Sequence, residues 1–105
     1  AAGCGSAALP PHRVAEAESS IRAAEEVGAA RYPRSALHLK LARDQVRAAR
    51  ILAEEGEGDD ASMALTRADA DAELSLTLAR RARVQAEARR ANQRADELQR
   101  RVRTE

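Results

Sequence analysis

Leu37-His38-Leu39-Lys40-Leu41 and Leu74-Ser75-Leu76-Thr77-Leu78 alternate apolar and polar residues with the period of a β-strand, and their reading decides the fold. Each sits inside a long context of Ala, Arg and Glu without turn residues, so both are expected to be helical. Successive helical residues turn by about 100°, and the alternation then becomes two apolar faces. Around Leu39, one side carries Leu37, Leu41, Ala48 and Leu52, and the other carries Leu39, Ala42, Val46, Ala49 and Ala53. A helix apolar on two sides is usually sandwiched, and this one is expected to lie between or beside its two neighbours.

Working outward, Gly and Pro mark where these helices stop. A first helix is expected over about 12–27, on the seam Val14, Ala17, Ile21 and Ala24, with Pro11 near its first turn and Gly28 as its stop. Arg31-Tyr32-Pro33 is read as a turn, and a second helix spans about 34–55 before Gly56-Glu57-Gly58 breaks it. A third is expected over about 59–103, capped by Asp59 or Asp60, since neither Gly nor Pro follows Gly58. Folding the chain at residues 30 and 57 brings Ile21, Leu39 and the Leu74 to Leu78 cluster to one level. The expected fold is all-α: an antiparallel three-helix hairpin or bundle whose long C-terminal helix overhangs the first two. Residues 1–11 are a leader and linker, and residues 12–105 one helical domain.

Composition agrees with slender helices. The 105 residues are 33% charged and 44% hydrophobic, with Tyr32 as the single aromatic and neither Phe nor Trp. Most of the apolar content is alanine, and a buried methyl stabilises by about 0.8 kcal/mol against roughly 1.5–3 for a buried Leu or Phe. No stretch approaches the roughly 20 apolar residues of a membrane span. One cysteine makes no disulfide framework.

That cysteine lies in Ala1-Ala2-Gly3-Cys4-Gly5-Ser6, which is similar to the lipobox of bacterial lipoproteins, with Ala1 where leucine is usual. The resemblance implies removal of an export signal, a lipid on Cys4 and attachment to a membrane; Gly5 in place of aspartate implies, by analogy with enteric sorting, the outer membrane. A second resemblance covers roughly residues 15–88. Glu26-Val27-Gly28-Ala29-Ala30-Arg31-Tyr32-Pro33-Arg34-Ser35-Ala36-Leu37-His38-Leu39-Lys40-Leu41-Ala42, followed by Ala68-Asp69-Ala70-Asp71-Ala72-Glu73-Leu74, resembles the bacterial envelope proteins grouped as domain of unknown function 4398. In this chain Tyr32 abuts Pro33 without the alanine often found between them. The resemblance implies a helical lipoprotein of the Gram-negative envelope, some of whose relatives are joined to or neighbour peptidoglycan-binding OmpA-like proteins. It carries over no catalytic residue.

The residues themselves offer little chemistry. His12 and His38 have no second ligand at metal spacing and are read as solvent-facing, so no metal site is expected. Glu54-Glu55-Gly56-Glu57-Gly58-Asp59-Asp60 lacks the alternating ligands of a calcium loop and reads as a turn with a helix cap. Asp69 and Glu73 share a side while Asp71 points elsewhere, which suits a solvated face better than acid–base catalysis. Glycine-rich phosphate loops, nucleophile motifs and dinucleotide fingerprints are missing, so neither a cofactor nor an enzyme is expected.

Charge and length leave two candidate surfaces. Residues 1–60 hold eight basic and ten acidic side chains, and residues 61–105 hold ten and seven. Arg80, Arg83, Arg90, Arg94 and Arg101 form the candidate face for an anionic partner such as lipopolysaccharide, peptidoglycan or an acidic protein. Interleaved Glu87, Asp96 and Glu97, the expected pairs Asp96–Arg100 and Glu97–Arg101, and the lack of stacking aromatics argue for a solvated face over nucleic acid. Helix three should be covered only to about residue 82, so the rest projects about 35 Å. There Val84, Ala88, Ala91, Ala95, Leu98 and Val102 continue a narrow apolar seam with nothing opposite it, a signal for a homo-oligomer or an envelope protein partner, with fraying of the helix as the alternative. Met63, Ala70, Leu74 and Leu78 form a further spare face. The functional expectation is a membrane-tethered spacer or adaptor reaching into the periplasm. It would not be a covalent wall anchor, since Arg103-Thr104-Glu105 has no lysine and Lys40 is mid-helix. The alternatives are a soluble coiled-coil interaction protein and an Arg-mediated binder of an anionic polymer.

Overall fold

The computed structural model describes residues 8–105. Among them the chain forms α1 (Pro11–Glu26), a single 3₁₀ turn (Ala29–Arg31), α2 (Pro33–Glu54) and α3 (Gly58–Thr104), with no strand. Both alternating leucine clusters are helical. The molecule measures 88 × 20 × 13 Å, an elongated bundle with α3 as its spine.

Local chemistry sets the helix ends. Pro11 and Pro33 open α1 and α2, where a fixed φ suits the first turn and the missing N–H leaves no bond unmade. Gly28 and Gly56 take the left-handed conformation, at φ 81° and 82°. After α2, the Gly56 N–H bonds Ala53 O at 3.1 Å and the Glu57 N–H bonds Leu52 O at 2.8 Å, satisfying two of the carbonyls left open by the helix end. The N-cap of α3 is Glu57, without a side-chain bond, and not Asp59 or Asp60. Gly56 completes the chain reversal early enough for Gly58 to be helical already. Both aspartates therefore sit in the first turn, still beside the positive end of the helix dipole.

Each helix buries one seam. On α1 it is Ala17, Ile21 and Ala24; on α2 Ser35, Leu39, Ala42, Val46, Ala49 and Ala53; on α3 Ala61, Ala64, Leu65, Ala68, Ala72, Ser75 and Ala79. Bonded partners give the directions. Ser75 Oγ donates to Ser35 O at 2.7 Å and His38 meets Asp71, so α2 and α3 are antiparallel about the Gly56 turn. The Arg13 guanidinium donates to Thr66 Oγ1 at 2.7 Å, setting α1 parallel to α3. Ion pairs Arg43–Glu25, at 2.7 Å, and Arg50–Glu18 cross from α2 to α1.

Two expectations are corrected here. α2 is not sandwiched: Leu37 is 55% exposed, Leu41 36%, Ala48 is exposed and Leu52 half-buried. Three helices in mutual contact meet both neighbours through one wide stripe, which leaves the opposite face of each in solvent. The large side chains do not form one packed layer either. Ile21 and Leu39 are buried, Leu74 is 42% exposed, and the second fully buried leucine is Leu65, outside both alternating clusters.

Two serines interrupt this alanine core. The Ser35 hydroxyl lies 2.5 Å from Ala29 O and 3.0 Å from Tyr32 O, tying the start of α2 to the 3₁₀ turn. Both Ser35 and Ser75 are fully buried and hydrogen-bonded, so neither leaves an unmet polar group.

Candidate functional site

Beyond Ala79 no residue of α3 is buried; Ala82 and Ala86 are half-buried, and residues 87–105 are exposed throughout. α1 ends at Glu26 and α2 begins at Pro33, both near this level, so nothing remains to cover α3 further on. Val84, Ala88, Ala91, Ala95, Leu98 and Val102 recur at alternating intervals of four and three and therefore line one face. All six are exposed, Val84 at 63%, Leu98 at 59% and Val102 at 73%.

Beside the seam run the arginines. Arg83, Arg90, Arg94 and Arg101 follow at spacings of seven, four and seven and share a face, with Arg80 about a sixth of a turn away. Part of this charge is internally paired: Arg83 Nε lies 3.3 Å from Glu87 Oε1, and an Arg101 guanidinium nitrogen 2.8 Å from Glu97 Oε1. The expected Glu97–Arg101 pair is present. Asp96 and Arg100 line one shallow groove with Gln99 and Arg103 but form no ion pair. Arg83 and Arg90 also reach the base of the overhang, where they line a cleft with Glu25, Glu26, Arg31 and Glu87. Exposed pairs of this kind contribute at most about 1 kcal/mol each, so the face remains free to exchange partners.

Cys4 lies outside the described residues. The spare face expected at Met63, Ala70, Leu74 and Leu78 is open: Met63 is 53% exposed, Ala70 is exposed and Leu78 half-buried.

Two polar arrangements were not anticipated. His38 is half-buried and not solvent-facing, because its position on α2 turns the ring toward α3; Nδ1 lies 2.8 Å from Asp71 Oδ1, which places a proton on that nitrogen facing the carboxylate. On the α1–α3 side, Glu16, Ser19, Ser20, Asp69 and Glu73 line a cleft. Asp69 Oδ1 is shielded from water there without a hydrogen-bond partner. Loss of hydration raises the Asp69 pKa; Glu16 and Glu73 add to the rise, and Arg13 opposes it. On the exposed face of α2, Asp44 has its pKa lowered, chiefly by the hydrogen bond from Lys40, 2.9 Å away, with Arg47 assisting. Among the described residues no three His, Cys, Asp or Glu gather to hold a metal, and no helix is long and apolar enough to cross a membrane.

Comparisons with protein-family models, curated proteins and solved structures gave no match.

Proposed function

We propose that this chain is a non-enzymatic spacer and adaptor of the Gram-negative envelope, tethered to the outer membrane through lipid on Cys4 and presenting the far half of α3 to a partner. The observation that carries this reading is the overhang: a helix running past its own bundle with an uncovered apolar seam beside an arginine face. The orientation suits a tether. α1 runs parallel to α3 and starts near the Gly56 turn, so an anchor ahead of α1 belongs at the end opposite the overhang. An adaptor needs no pocket or reactive group, only stiffness, reach and a surface.

Metabolic labelling of the full-length precursor with an alkynyl fatty acid tests the tether. Incorporation that disappears in Cys4→Ala, together with release of the variant from the membrane fraction, is the expected result. An unlabelled wild-type protein would sink it and leave the soluble coiled-coil reading. The Arg-mediated reading is distinguished by anionic polymer bound at low salt and released steeply as salt rises.

A further inference from the structure

The overhang seam is complementary to itself. Counted outward from Gln93, Val84, Ala88 and Ala91 stand as far before it as Val102, Leu98 and Ala95 stand after it. We infer that a second copy of this chain covers the seam in antiparallel orientation, with the two overhangs side by side about a two-fold axis near Gln93. This names the partner for the docking half of the function proposed above and does not depend on the lipid.

Side-chain size supports the orientation. Antiparallel pairing sets Val84 against Val102, Ala88 against Leu98 and Ala91 against Ala95, each twice by symmetry. Each leucine then fills the space left by an alanine, and the alanines at the centre let the axes approach to about 8 Å. A parallel pair would instead set leucine against leucine and stack three thin alanine layers in succession, at 88, 91 and 95.

The flanking residues select the same orientation. One edge of the seam carries Glu87, Arg94 and Arg101, and the other carries Gln85, Asn92 and Gln99. An antiparallel pair brings like edges together. Glu87 of each copy then faces Arg101 of the other, exchanging exposed within-helix pairs for pairs between copies. Gln85 faces Gln99, and Asn92 faces its own counterpart, amide to amide. The one like-charge meeting is Arg94 with itself, on stems long enough to carry the guanidiniums apart into water. A parallel pair would set Glu87 beside Asn92 and Arg94 beside Gln99, without charge pairing.

Length fits as well. The free segment of each copy is what the other needs to cover, and the pair leaves the two bundles, and the two starts of α1, at opposite ends. Three of the six seam positions are alanine, which makes the association weak and reversible.

The test uses the full chain carrying Cys4→Ala. Sedimentation equilibrium at several hundred micromolar should give a mass above the monomer, and Leu98→Glu should lower the association constant at least tenfold. Orientation is read by oxidation: Ala88→Cys with Leu98→Cys should give a covalent dimer, whereas Leu98→Cys alone should not. Within one helix these positions are about 15 Å apart, beyond the Cα separation of roughly 4.4–6.8 Å that a disulfide spans. Glu87→Arg should weaken association several-fold, and adding Arg101→Glu should restore it. None of these residues packs in the bundle, so folding is not at risk. Monomer mass at every concentration, with the helical signal intact, overturns the pair; a covalent dimer from Leu98→Cys alone overturns its direction. A lipid-labelling failure would leave either result standing.

Discussion

The two halves of α3 have nearly the same apolar rhythm and opposite fates. From Ala61 to Ala79 the four-and-three spacing is buried against α1 and α2; from Val84 to Val102 the same spacing lies in solvent. Periodicity therefore tells which residues of a helix share a side and leaves open whether anything is there to meet them. What differs is the length of the neighbours. Hydrophobic stabilisation resides where α1 and α2 reach, and beyond them the helix depends on Ala and Arg propensity and on ion pairs such as Glu97–Arg101.

The strongest challenge to this contrast is a pair of matched truncations. Leu39→Ala or Leu65→Ala empties a fully buried site and should cost about 2–5 kcal/mol in urea or thermal denaturation, a large part of a small domain's stability. Leu98→Ala, at concentrations where the chain is monomeric, should stay within about 0.5 kcal/mol of wild type. Equal costs would mean that the overhang is packed in the monomer. Next in size is Ser75→Ala. It removes the buried bond to Ser35 O, and the same unfolding measurement should register a loss of about 1–2 kcal/mol.

Gly28→Ala probes the junction that stops α1 short of the overhang. At φ 81° a Cβ is strained, while its nearest neighbour would be the Arg31 side chain at 3.4 Å, an ordinary contact; a destabilisation of about 1 kcal/mol from the backbone is expected. The smallest effect is at Asp69, whose folded-state pKa is raised. Its contribution to stability is fully present below the unfolded carboxylate value, about 3.9, and is lost as pH rises through the higher folded value. Asp69→Asn should accordingly raise the melting temperature slightly at pH 7 and leave it unchanged near pH 3. A gain that persists in acid would assign the effect to packing.

Much of this architecture was legible in the residues. Pro11, Gly28, Pro33 and Gly56 punctuate the chain strongly enough to place every helix end within a residue or two, and the absence of Gly and Pro after Gly58 foretold the length of α3. Which residues of the overhang share a face was legible for the same reason, since a face of one helix follows from spacing alone. What depended on the facing of two helices was not. His38 meets Asp71 across 33 residues, and the cleft around Asp69 needs α1 to lie on one particular side of α3. Leu65 was missed because it stands alone between Ala64 and Thr66, with no alternating pattern to mark it. The two faces of α2 had similar apolar content, and only the one-stripe geometry of a three-helix contact decides which is buried.

The molecule's proportions also govern how it moves through water. Its radius of gyration is 21.0 Å, where a compact chain of 100 residues would have about 13 Å. A particle with an axial ratio this high meets more friction than a sphere of equal mass. It should leave a size-exclusion column at the volume of a much larger globular protein while still a monomer, and tumble anisotropically, so that amides along α3 relax according to the angle they make with the long axis.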